Sequence, residues 1–283
     1  MICDSQLRTR LRIKEISNFS APIRIIIFIG VLSILWLPLA SPIYWLLREN
    51  SNLASILTMT LLFIELLFLW QWWGKLVHGN RHIYVRYGLV KTSRNIREFF
   101  QGLAIGFWLC LGLFIAEAVF GWIEVNFPDT SLVKIIVEGL FSAVGIALAE
   151  ELLFRGWLLD ELQRDYGKKV CVWLTAIAYA VAHFLKPLEE IVRTAITFPA
   201  LALLGIALVL AKYRHGNRLG ASIGIHAALV WAYYIVDVGQ LIKYTGKVPV
   251  WVTGIDGNPV AGIMGLMFLL GLVCVHRTSY RLH

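Results

Sequence analysis

Ala149-Glu150-Glu151-Leu152-Leu153-Phe154-Arg155 sets two adjacent carboxylates and a guanidinium inside an apolar run from Ile135 to Leu159. A water-soluble helix keeps its charges on the wet face. A run this apolar reads instead as a membrane span, where ionisable groups are costly and mark a site. The alternative reading of the same residues is a structural ion pair that locks two helices.

The rest of the chain agrees with a membrane solvent. Of its 283 residues, 58% are hydrophobic and 16% charged, with a mean hydropathy of +0.70. A soluble domain averages about 45–50% apolar and about 25% charged residues. The expectation is an all-α, polytopic helical bundle, integral to the membrane. The net charge of +8 fits basic cytoplasmic loops and does not argue for a nucleic-acid partner. Cys3, Cys110, Cys171 and Cys274 are scattered with no CxxC pair, so neither a disulfide framework nor a zinc knuckle is indicated.

Eight spans are predicted, at 23–47, 53–73, 99–123, 132–159, 170–185, 191–212, 219–236 and 260–275. The first is uncleaved and bent near Pro38 and Pro42. Residues 1–19 form an interfacial helix or a loose tail, and Ile83–Leu89 a strand or an interfacial segment. The fourth run exceeds the ~20 residues that a bilayer needs, so it tilts or projects into water at Asp160–Asp165. Asp256-Gly257-Asn258-Pro259 is a turn signal in the loop before the last span. Residues 1–98 hold the tail, two spans and a basic loop; residues 99–283 hold six spans and a core at about 130–236. With the N-terminus inside, nineteen Lys and Arg fall on the cytoplasmic side and six on the other, Arg155 set aside. That imbalance places both termini in the cytoplasm.

Two more ionisable residues are read within spans, His183 and His226. At ~1.5 Å per residue, Glu150, His183 and His226 lie roughly 15, 20 and 10 Å from the cytoplasmic ends of their helices, one layer within boundary error. Either histidine alone reads as a helix-packing group; together with the glutamates they read as a site. Glu151 and Arg155, four apart, share a helix face and can pair. Glu150 points about 100° away and is left to hold or deprotonate a water. Gly220 and Gly224 form a GxxxG that permits close helix approach and leaves room for a cavity.

Glu150-Glu151-x-x-x-Arg155, an aromatic-x-x-x-His at Tyr179 and His183, and His226 on a later span resemble the CPBP family of intramembrane proteases. That family includes type II CAAX prenyl endopeptidases and bacteriocin-resistance proteins. The resemblance implies Glu150 as the residue that activates water. It implies that His183 and His226 complete the water site and stabilise the oxyanion, and that Glu151 and Arg155 orient them. Tyr179 stands where the motif usually has Phe. Val230 stands where the prenyl proteases carry an Asn thought to hold the oxyanion, and Tyr179 is the favoured replacement donor over Trp231. Glu150, His183 and His226 also resemble a zinc set, yet no HExxH is present, and the favoured reading is a metal-independent glutamate protease. The expected partners are the lipid bilayer and a membrane-embedded or lipid-modified protein or peptide substrate. A catalytically inactive scaffold or immunity protein is the alternative, followed by a proton-coupled transporter, for which the repeated halves and broken helices are lacking.

Overall fold

The computed structural model describes residues 13–127 and 131–278, so most of the expected N-terminal tail lies outside the described residues. The main helices are α1 (Ala21–Leu46), α2 (Ser51–Leu76), α3 (Ile83–Tyr87), α4 (Ser93–Val119), α5 (Leu132–Gln163), α6 (Lys168–Ala182), α7 (Leu188–Arg214), α8 (Gly220–Val238), α9 (Val250–Thr253) and α10 (Ile263–Thr278). Two three-residue strands, β1 (Ile123–Val125) and β2 (Ile242–Tyr244), pair antiparallel with Glu124 opposite Lys243. The protein is an all-α, multi-pass integral membrane protein, and among the described residues this short long-range ladder is its β structure.

A helix forms at each of the eight apolar runs. Six of them, α1, α2, α4, α5, α7 and α8, are long and apolar enough to cross a membrane. The other two are α6, with 15 residues, and α10, with 16. At ~1.5 Å per residue they are roughly 22–24 Å long, short of the ~30 Å hydrocarbon core. The reasons are local. His183 ends α6, and Lys186-Pro187 follows, where proline disfavours a helical residue before it. At the other helix, residues 259–261 form a tight 3₁₀ turn before α10 can begin. Ile83–Tyr87 is a helical turn, not a strand. α1 runs unbroken through Pro38 and Pro42.

The chain divides into two compact units. The first comprises the described residues up to Arg86 together with Asp160–Asp165, the last turn of α5 and the residues after it. Within it, α1 and α2 meet where Trp36 Nε1 donates to Thr58 O at 3.1 Å and Thr58 Oγ1 to Tyr44 Oη at 3.0 Å. Its centre is Glu161, which is buried. Arg24 Nε donates to Glu161 Oε2 at 2.8 Å, and Trp73 Nε1 and His78 Nε2 reach Oε1 at 2.9 and 2.6 Å. Asp165 Oδ2 caps α1 by accepting from Ala21 N at 2.5 Å. The expectation that Asp160–Asp165 projects into water is therefore corrected. Asp160 and Glu161 are buried, each held by arginine, because a carboxylate with several donors is stable out of water.

The second unit comprises Tyr87–Leu159 and Tyr166 onward. α8 is its central helix, packed against α4 and α5, while α7 packs against α6 and α10. The α4–α8 contact is backbone on backbone. A Cβ on Gly224 would stand 2.1 Å from Phe99 O, and one on Gly102 would stand 2.3 Å from Ala221 O. Gly220 and Gly106 are equally tight, so each helix presents a small-xxx-small stripe to the other. The expected GxxxG is at this interface and does not itself open a cavity. Asn95 on α4 fixes the register, its Oδ1 accepting from Gly220 N at 2.8 Å at the start of α8. Glu98 accepts from Arg218 Nε at 2.7 Å beside it.

Gly224→Ala forces this contact apart, and overpacking of this kind costs about 1–3 kcal/mol. Thermal unfolding in detergent should show a lower midpoint, and an unchanged midpoint would mean that α4 and α8 do not touch there. Glu161→Ala strands Arg24 without its buried partner, at a cost on the order of 3–5 kcal/mol. Arg24→Met with Glu161→Leu should recover part of the loss in the same assay.

Candidate active site

α5 changes its winding at the motif. It is α-helical from Leu132 to Glu151, π-helical from Leu152 to Leu158 and α-helical again to Gln163. π-helical turns are rare and concentrate at functional sites. Glu151 and Arg155 flank the start of this wider turn and are both fully buried. Arg155 Nη1 donates to Glu151 Oε1 at 3.0 Å. The guanidinium lies 4.2 Å from the centre of the Tyr179 ring, on α6, and its Nη2 donates to Gly205 O, on α7, at 3.4 Å. Lys212 Nζ donates to Arg155 O at 2.5 Å. One arginine thus ties α5 to both α6 and α7.

His226, on α8, closes the group. Its Nδ1 donates to the same Glu151 Oε1 at 2.9 Å. The neutral ring then carries its lone pair on Nε2. That atom stands 3.8 Å from Glu150 Oε2, which makes no hydrogen bond. The adjacent carboxylates therefore differ: the Glu151 side chain is inaccessible and committed to Arg155 and His226, and that of Glu150 is 30% exposed. His183 follows the last turn of α6, and its Nδ1 donates to Tyr179 O at 2.9 Å. Since a carbonyl oxygen only accepts, this histidine too turns an Nε2 lone pair outward.

Glu150, Tyr179, His183 and His226 all line one cavity of about 320 Å³. Its walls are apolar, with Leu109, Leu113, Ile146, Leu201, Leu204 and Phe268 prominent, and Val230 also faces it. Glu151 and Arg155 are not among the lining residues; they stand behind His226 and Tyr179. Trp231 Nε1 donates to Ile136 O at 2.8 Å and is spoken for.

Sequence reasoning missed two polar groups of this cavity, Tyr233 and Asn258. Tyr233 was findable, lying seven residues after His226 and so on the same helix face. Asn258 was not, because no helical period relates it to the motif. Two further carboxylates within spans were also passed over. Glu65 and Glu117 have neither oxygen hydrogen-bonded. As for zinc, among the described residues no three His, Cys, Asp or Glu side chains converge as a metal group. Glu150, His183 and His226 border the cavity without meeting at one ligand point, so no step is derived through a metal.

Glu151→Ala leaves Arg155 Nη1 and the His226 Nδ1–H without their shared carboxylate in the interior. The expected loss is on the order of 3–5 kcal/mol. Replacing Glu151 and Arg155 together with apolar residues should return part of it. A double-mutant cycle followed by thermal unfolding would show no coupling energy if the pair were not formed.

Residues 132–232 match a family model described as Type II CAAX prenyl endopeptidase Rce1-like. No curated protein and no solved structure matches the chain. The matched segment runs from the start of α5 into α8 and contains Glu150, Glu151, Arg155, Tyr179, His183 and His226. The chain is a multi-pass membrane protein whose residues 132–232 are similar to the Rce1-like type II CAAX prenyl endopeptidases, which supports membership of the CPBP family.

Proposed function

We propose that this protein is an active intramembrane endopeptidase, with Glu150 as the general base and His226 and His183 completing the water site. The observation that carries the reading is the approach of Glu150 to His226, 3.8 Å from Oε2 to Nε2, where both side chains line one apolar cavity. A water held between the Glu150 carboxylate and the His226 imidazole gives one hydrogen to each. Its own lone pairs then point into the cavity. Glu150 takes a proton as the water oxygen attacks the scissile carbonyl carbon. The C–O bond forms, and the carbonyl electron pair moves onto its oxygen. When the tetrahedral carbon collapses, the C–N bond breaks, and Glu150 returns the proton to the leaving nitrogen. Glu151 and Arg155 do not touch the substrate in this scheme; they fix the ring of His226 as a carboxylate fixes a catalytic histidine elsewhere. Tyr179 supports His183 through its carbonyl and packs on Arg155.

The apolar walls favour a substrate that brings hydrocarbon with it, either a membrane-embedded segment or a lipid-modified tail. Val230 contributes no hydrogen-bond donor, which is the one observation that favours an inactive scaffold of the same family. The excess of Lys and Arg in the segments read as cytoplasmic favours both termini in the cytoplasm.

Glu150→Ala and His183→Ala should each lower cleavage by about 10²–10⁴-fold, the range for loss of a general acid–base group. Insertion and abundance should stay near wild type, since neither side chain fills the core. Comparing membrane peptides from cells with wild-type protein and with Glu150→Ala would identify substrates as species that accumulate uncleaved. Identical peptide profiles would move the reading to the scaffold.

A further inference from the structure

The cavity is rich in acceptors and poor in donors. The Glu150 carboxylate on its wall can only accept, and the two histidines have spent their Nδ1–H groups on Tyr179 O and Glu151. Val230 has no polar atom, and the Trp231 N–H is taken by Ile136 O. Hydrolysis by Glu150 nevertheless places negative charge on the carbonyl oxygen, and a donor must meet it.

We propose that Asn258 is that donor, its amide Nδ2–H₂ receiving the oxyanion in place of a side chain at position 230. The proposal rests on the peptidase reading above. Asn258 lines the cavity with Glu150, His183 and His226, and it lies outside the 132–232 family match. Its Oδ1 accepts from Val260 N at 3.0 Å, which settles the amide orientation and leaves Nδ2 as the free end. Its backbone is committed too, with N donating to Ile255 O at 3.0 Å and O accepting from Ala261 N at 2.8 Å.

The strap that carries it is built to hold one position. Gly254 and Gly257 have φ of 131° and 70°, a region closed to most side chains. A Cβ on Gly265 would stand 1.9 Å from Pro259 O, so α10 lies directly against the strap. Asp256 is anchored to Arg193 of α7, which also donates to Glu190 Oε2 at 2.7 Å. A preorganised amide costs no reorganisation when charge develops, and the surrounding leucines keep the local dielectric low. Two phenols also border the cavity. Tyr179 is packed against Arg155, and Tyr233 lies between this cavity and a second one lined by Asp237 and Asp256, where acceptors compete for its hydroxyl.

The test uses the purified full chain in liposomes with two quenched probes, a farnesylated CAAX peptide and an apolar transmembrane peptide. Asn258→Ser keeps an oxygen to cap Val260 N but is too short to reach the oxyanion. Its kcat should fall by about 10²–10³-fold, with KM and the thermal midpoint unchanged. Adding Val230→Asn to Asn258→Ser should restore part of the rate. A kcat for Asn258→Ser within threefold of wild type overturns the proposal, as does a loss found in Tyr179→Phe or Tyr233→Phe but not in Asn258→Ser. Wild type and Glu150→Ala run in parallel; if they are equally fast, or both silent on both probes, the peptidase reading falls and this one with it.

Discussion

Glu151 Oε1 accepts from Arg155 Nη1 and His226 Nδ1 at once, in a part of the protein that water does not reach. A lone carboxylate or guanidinium there would be prohibitive, and each makes the other tolerable. The shared oxygen also chooses the tautomer of His226, and so turns its Nε2 towards Glu150. Two neighbouring glutamates thus receive opposite tasks from one helical rotation. The inward one is consumed in structure, and the one before it lines the cavity with an oxygen that has no hydrogen-bond partner.

That arrangement needs four helices at close quarters. Arg155 touches α6 through the Tyr179 ring and α7 through Gly205 O, and Lys212 of α7 returns a bond to Arg155 O. Gly205 is there because a Cβ would press on Ala176 Cα at 2.8 Å, so α6 and α7 meet backbone to backbone. The glycine stripes of α4 and α8 do the same for the helix that delivers His226. In a lipid solvent, where apolar burial gives no preference between helix and bilayer, such packing and the polar ties across it are what hold the helices together.

The membrane class and the position of the eight apolar helices were legible in hydropathy, and the Glu151–Arg155 pair in its spacing of four. Span lengths were less so. The apolar run through His183 continues to Leu185, yet the helix stops at Ala182, because His183 bonds back to Tyr179 O and Pro187 follows. Hydropathy counts side chains, and it cannot see where a backbone turns. Asp160–Glu161 failed for the opposite reason. Their charge argued for water, and only the fold reveals that Arg24, Trp73 and His78 wait for Glu161 from far away in sequence. The π-helical winding at Leu152–Leu158 left no compositional trace, nor did the strap that brings Asn258 to the cavity.

The count of donors and acceptors also constrains what the cavity holds. The Glu150 carboxylate and the His183 and His226 rings line an apolar space with no Lys or Arg among its lining residues. An anionic ligand such as a phosphate or carboxylate would meet lone pairs at close range in a low dielectric, which is repulsive by several kcal/mol at the distances involved. A water, with two hydrogens to give and lone pairs to turn elsewhere, matches the same atoms. So does an amide N–H of a peptide laid along the leucine walls. The lining therefore suits a hydrogen-donating occupant that carries hydrocarbon, as the proposed peptide substrate would.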